Sequence, residues 1–210
     1  MLILLYYIKL KYTNIMKARL RFSYGTMNSG KSTHILTTTF NYEQNDIKFI
    51  LLKPSTDTRE RKSIVKSRTG LSRECVTIEN NFNIYEYIKK LKHSQGIEWV
   101  FVDEAQFLTE TQVNQLSDVV DLLDIDVWCF GLRTDFKTHF FEGSRRLMEI
   151  ADKLIEMKSS CKCGKKNIIN IRYDINGNIC IAGESVEVGD IGKYDTMCRS
   201  CYKKMLKNNK

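Results

Sequence analysis

No run of apolar residues in this chain approaches the ~20 that a membrane-spanning helix needs. Its apolar start, Leu2 to Ile8, is too short to span. That stretch also lacks a positive flank and a small-residue cleavage site, which argues against a secretory signal. Histidine is scarce. His34, His93 and His139 stand far apart and form no ligand spacing, so they read as structural or surface residues. The single proline, Pro54, reads as a strand stop. A concentrated basic tract is also missing. The net charge is +8, but basic residues are scattered and thicken only at 59–73 and at the C-terminus. Such runs are usually solvated surface, so no stable nucleic-acid or membrane partner is expected.

What is present begins with size. A chain of 210 residues with 42% apolar content can bury a substantial core, as one large domain or one domain with a small appendage. Residues 1–15 are expected to be an extension outside the fold, of the kind a wrongly chosen start would add. The alternatives are an extra edge strand or a weak anchor.

The stretch Gly25-Thr26-Met27-Asn28-Ser29-Gly30-Lys31-Ser32 reads G-x-x-x-x-G-K-S. Its glycines allow backbone angles that a Cβ forbids, so that successive N–H groups can turn around a phosphate. Lys31 can reach the β- and γ-phosphates, and the Ser32 hydroxyl can ligate Mg²⁺. A helix starting near Lys31 points its positive dipole end at the same anion. Residues 18–24 alternate as a strand should, and 32–42 can carry a helix. Strand, loop and helix is the context the motif needs.

Further along, 47–53 predicts a second, largely buried strand. Residues 54–73 are polar, charged and aperiodic, and a basic loop beside a phosphate site suggests a lid. The spacing of 84, 87, 88 and 91 predicts a helix over 82–92. Residues 97–104 predict an apolar strand ending in Asp103 and Glu104. Asp103 can hold Mg²⁺ opposite Ser32, while Glu104 faces an acceptor. Thr109 to Asp124 predicts an amphipathic helix with a capping box. Residues 126–130 predict a strand stopped by Gly131, and 144–158 a helix burying Leu147, Leu154 and Ile155. Alternating strands and helices imply an α/β domain with a mainly parallel sheet. Its ligand rim would carry 25–32, 103–104 and 131–136.

From Ser159 short β-like runs flank Asn176-Gly177, a hairpin signal. Cys161 and Cys163 precede this region, and Cys198 and Cys201 follow it. Thiols in a reduced compartment read as metal ligands before disulfides, and two close pairs suit a structural Zn²⁺. The spacing C-x-C is tighter than the usual C-x-x-C. Cys75, Cys129 and Cys180 read as packing residues.

In this order, MNSGKST at 27–33, DTR at 57–59, SRTGL at 67–71, VDEAQFL at 102–108, GLRTDF at 131–136 and KYDTMC at 193–198 resemble the type II, zinc-containing thymidine kinases. GLRTDF and the C-x-C pair are similar to its bacterial branch. The resemblance spans about Ala18 to Tyr202. It implies a RecA-like P-loop domain over 16–158, a small zinc-ribbon or lasso domain over 159–204, and a basic tail at 205–210. It implies transfer of the γ-phosphate of Mg²⁺-bound ATP to the 5′-hydroxyl of thymidine in the cytoplasm. Glu104 would be the catalytic base. Asp57, Thr58 and Arg59 would contact nucleotide, and Ala105 and Gln106 of VDEAQFL would flank the phosphates. Phe136 would contact thymine. Ser185, Val186, Glu187, Val188, Gly189 and Tyr194 would form the lasso over the base. Family members are commonly homotetramers inhibited by thymidine triphosphate.

One departure stands out. The family often has Gly-Gly where this chain has Gly189-Asp190. The rival readings are a RecA-like ATPase acting on nucleic acid, a nucleoside kinase of different base preference, and a nucleotide-binding regulator without catalysis. Because the phosphate loop lies far from the cysteines in sequence, metal loss is expected to raise KM for thymidine far more than for ATP.

Overall fold

A computed structural model of the chain describes residues 18–55, 63–183 and 194–208. The expectations for residues 1–15, for Asp57, Thr58 and Arg59, and for Ser185 to Asp190 lie outside the described residues. Among the described residues, no helix is long and apolar enough to cross a membrane.

The core is a sheet of six strands: β1 (Leu20–Gly25), β2 (Phe49–Pro54), β5 (Val76–Ile78), β6 (Trp99–Val102), β7 (Asp126–Leu132) and β8 (Lys153–Met157). Their order is β5-β2-β6-β7-β1-β8, and every neighbouring pair is parallel. A parallel sheet has to be covered on both faces. The helices α1 (Lys31–Gln44), α2 (Ile84–Gln95), α3 (Glu110–Leu123) and α4 (Glu142–Ile150) provide the cover.

Strand alternation sorts the side chains between the two faces. Val100 and Val102 of β6, with Val127 and Cys129 of β7, pack under Ile84, Ile88, Val113, Leu116 and Leu147 of α2, α3 and α4. Phe101 and Phe130 turn the other way, to Ile35 and Leu36 of α1. Buried Cys129 is a packing residue, and burial pushes its thiol well above the usual range. His34 is exposed at the surface, its ring edge-on to Trp128 at 5.4 Å.

The capping box appears as expected: Thr109 Oγ1 accepts from Gln112 N, and Gln112 Oε1 accepts from Thr109 N, both at 3.2 Å. Several boundaries differ from expectation. The helix expected over 144–158 ends at Ile150, and Lys153–Met157 is the edge strand β8. Asp152 Oδ2 accepts from Leu20 N at 2.7 Å, and β8 then pairs with β1. Leu154, expected inside, is 46% exposed. The apolar spacing fits a helix locally, but β1 offers hydrogen bonds that local sequence does not reveal.

Gly131 does not stop β7, which runs on to Leu132. A Cβ there would lie 2.9 Å from Gln106 Oε1, so the glycine permits close approach, not a turn. The later part of the expected lid is ordered as a hairpin of β3 (Ile64–Lys66) and β4 (Ser72–Glu74), with β5 directly after it.

The cysteine region has its own small core of Cys161, Ile169, Ile171, Met197 and Cys198. The strands β9 (Ile169–Arg172) and β10 (Tyr194–Met197) pair antiparallel. The Asn176-Gly177 turn is present, closed by Asp174 N to Asn178 O at 2.9 Å, with a bridge between Tyr173 and Ile179. Helix α5 (Arg199–Asn208) follows, and the tail boundary drawn at 204/205 falls inside it.

Candidate active site

The loop between β1 and α1 owes its path to particular residues. A Cβ on Gly25 would lie 2.5 Å from both Met157 O and Ser29 Oγ. Gly30, the residue before α1, has φ +81°, which favours glycine. Asn28 also takes positive φ, at 63°. Lys31 is 7% exposed, and its Nζ donates to Thr26 O at 2.7 Å and to Ser29 Oγ at 3.3 Å. The lysine is thus folded back along the loop at the helix's positive end. Ser32 Oγ donates to Asp103 Oδ2 at 3.3 Å, so the expected Mg²⁺ pair is already adjacent.

A cleft of about 410 Å³ opens here. It is lined by Met27 to Thr33, Asp103, Glu104 and Leu132, with Lys53 and Lys66 to Thr69 from β2 and the hairpin. Gly25 and Thr26 sit behind it, lining a separate small crevice. Ala105 and Gln106 are buried below. Lys53, missed from sequence, is 2% exposed, and its Nζ donates to Ile64 O at 3.2 Å. Its place near the carboxyl end of a buried strand was the available signal.

Glu104 follows β6 with φ 52° and ψ 37°, an uncommon conformation for a residue with a side chain. Gln106 holds it there. Gln106 Nε2 donates to Glu104 Oε2, while Gln106 Oε1 accepts from Leu132 N at 2.9 Å. The Leu132 amide is always a donor, so the orientation of the glutamine amide follows. Behind this turn, a Cβ on Gly143 would meet Ala105 O at 2.5 Å and Leu108 O at 2.7 Å. Helix α4 therefore rests directly on the turn's backbone. Gly143→Ala is expected to cost about 3 kcal/mol in a denaturant titration, because backbone on both sides must move. A change below about 0.5 kcal/mol would mean that α4 does not support this turn.

Phe136 is 2% exposed, with the Arg172 guanidinium over its ring at 4.0 Å. It does not line the phosphate cleft. Half-buried Tyr194 begins β10. The turn around Phe136 is fixed by Asp135 Oδ1, which accepts from Lys137 N and His139 N, both at 2.9 Å.

The cysteine region does not stand apart from the phosphate loop. Met27 N donates to Asn170 Oδ1 at 2.8 Å, and Thr26 Oγ1 lies 3.0 Å from Ser159 Oγ. The expectation that the phosphate loop is independent of the cysteines therefore meets a direct contact between the two.

The ligand atoms of Cys161, Cys163, Cys198 and Cys201 all lie within 4.8 Å of one another. Four sulfurs around a tetrahedral Zn²⁺ sit roughly 3.8 Å apart, so a small contraction would suffice. The four thiols share hydrogen bonds with one another and with the local backbone. The backbone N–H of Cys163, then that of Cys198, holds the Cys161 thiol down to about 6. The Cys201 N–H lowers Cys198. Hydrogen bonds to the other sulfurs, Cys163 first, keep the proton on Cys201 and push it up to about 12. Four soft sulfur donors this close together suit a thiophilic divalent cation, which would favour the thiolate of each.

The family model described as thymidine kinase matches residues 18–202. The thymidine kinase of Rhodopirellula baltica is 42% identical over 189 residues, 90% of this chain and 90% of that protein. The thymidine kinase of Colwellia psychrerythraea is 40% identical, over 90% of this chain and 98% of its own. That of Enterobacteria phage T4 is 42% identical over the same shares. With a family match across 18–202 and relatives this similar over nearly their whole length, the chain belongs to the thymidine kinase family.

Proposed function

We propose that this protein transfers the γ-phosphate of ATP to the 5′-hydroxyl of thymidine, and of deoxyuridine, in nucleotide salvage. The observation that carries this reading is the position of Glu104. It is held by Gln106 at the carboxyl end of β6, lining the same cleft as the phosphate loop. A hydroxyl attacking phosphorus must give up its proton as the bond forms, and a fixed carboxylate can accept it. Lys31, and Lys53 beside it, place positive charge where the transferred group gathers negative charge. Gly25 to Ser32 cradle the phosphates, above buried Ala105 and Gln106.

Ser32 and Asp103 would hold Mg²⁺, which neutralises phosphate charge when bound. Cys161, Cys163, Cys198 and Cys201 would hold Zn²⁺, which ties the module together. Asp57, Thr58 and Arg59 are assigned to the nucleotide. Phe136, residues 185–189 and Tyr194 are assigned to the base. The family resemblance extends the reading to a homotetramer inhibited by thymidine triphosphate. Reduced thiols and these substrates suit the cytoplasm.

The test is direct. The metal-loaded protein is incubated with Mg-ATP and a panel of deoxynucleosides, and monophosphates are separated. Thymidine and deoxyuridine should yield product, and deoxyadenosine and deoxyguanosine little. A folded, metal-loaded protein that phosphorylates no pyrimidine deoxynucleoside would overturn the reading.

A further inference from the structure

Asn170 occupies an unusual place for a polar side chain. It lies in β9, between Ile169 and Ile171 of the cysteine module's core, and is 3% exposed. A buried amide left unpaired is costly, so its partners matter. Both are far away in sequence. Oδ1 accepts from Met27 N at 2.8 Å, and Nδ2 donates to Thr134 O at 2.8 Å. The direction is unambiguous, because a backbone N–H only donates and a carbonyl only accepts. One amide thus joins three segments: the phosphate loop, the loop leading to Phe136, and the strand between the cysteine pairs.

A second contact runs alongside. Ser159 Oγ, 3.0 Å from Thr26 Oγ1, also accepts from Asn167 Nδ2 at 3.1 Å. Asn167 Nδ2 in turn donates to Thr196 Oγ1 of β10 at 2.9 Å. The start of the phosphate loop therefore rests on Asn170 of β9 and on Ser159, which Asn167 ties to Thr196 of β10. Those strands are themselves held between Cys161–Cys163 and Cys198–Cys201.

The geometry points to Asn170 as a positioning residue through which the four-cysteine module sets the conformation of the phosphate loop. Metal in the module then controls ATP affinity as well as the nucleoside side. The metal part rests on the zinc assignment proposed above. The brace itself does not. Asn170 does not line the phosphate cleft, so its removal should act on loop conformation before nucleotide arrives. The effect belongs in ATP binding and not in the chemical step.

The test uses the full chain and calorimetric titration with Mg-ATP. Asn170→Leu keeps the volume and removes both hydrogen bonds. It is expected to weaken Mg-ATP binding about tenfold, with kcat at saturating substrates within about threefold of wild type. Asn170→Ala leaves room for a water that can bridge Met27 N and Thr134 O, and should cost only about threefold. A residue that merely filled space would show the opposite order, because alanine leaves the larger void. Chelator removal of metal from the wild type should also weaken Mg-ATP binding about tenfold. In Asn170→Leu the same treatment should add less than twofold, since the link is already cut.

Unchanged Mg-ATP affinity in Asn170→Leu, or in Asn170→Ala should the leucine variant not fold, overturns the proposal. So does a larger effect from alanine than from leucine. Equal weakening by metal removal in wild type and Asn170→Leu overturns the control by metal. A protein that holds no metal at its cysteines yet shows the predicted order of variants keeps the brace and overturns the zinc assignment instead.

Discussion

Glu104→Gln is expected to lower turnover roughly 10²- to 10⁴-fold while Mg-ATP binding persists. The substitution is nearly isosteric, and the local structure favours a clean result. Gln106 Nε2 donates to Glu104 Oε2, and an amide oxygen at that position can accept the same bond. The turn at Glu104 also has support from α4, through the close approach of Gly143 to Ala105 O. The backbone with φ 52° should therefore survive, and only the proton acceptor is lost. Steady-state turnover and calorimetric titration with Mg-ATP separate the two effects. Near-normal turnover in a correctly folded variant would remove Glu104 from the role of base.

The phosphate loop was legible because its constraints are local. Gly30 needs positive φ, and Lys31 and Ser32 must follow at the helix start. The capping box at Thr109 is local too, and its four-residue signature sufficed. What escaped was set by distant partners. Lys153–Met157 has helical spacing, but it forms a strand because β1 lies alongside and Asp152 reaches Leu20 N. Gly131 looked like a stop, yet it is glycine because Gln106 passes within van der Waals reach. Asn170 gave no signal at all. A lone asparagine in an apolar run reads as an irregularity until Met27 and Thr134 are seen on either side of it. The four cysteines were legible by spacing alone, but their neighbour in space, the phosphate loop, was not.

That proximity changes what metal loss should do. Cys198→Ser is nearly isosteric, so its main effect is a lost ligand. A module of this size rarely folds on its core alone. Among the described residues of its buried core, Cys161 and Cys198 are themselves in the cluster, leaving Ile169, Ile171 and Met197. Metal binding by small sulfur modules is worth about 10–16 kcal/mol, far more than those three can replace. The pairing of β9 with β10 should open, and with it the hydrogen bonds of Asn170 and the packing of Arg172 on Phe136. Cys198→Ser is therefore expected to bind no zinc and to lose hydrogen-exchange protection over Ile169–Arg172. Its kcat/KM for thymidine should fall by at least about 10²-fold, and its KM for ATP should rise about tenfold, in place of a loss confined to the nucleoside. Metal analysis, exchange mass spectrometry and two-substrate kinetics read these separately. A metal-free variant whose two KM values both stay within threefold of wild type would show that the module holds neither substrate site in place.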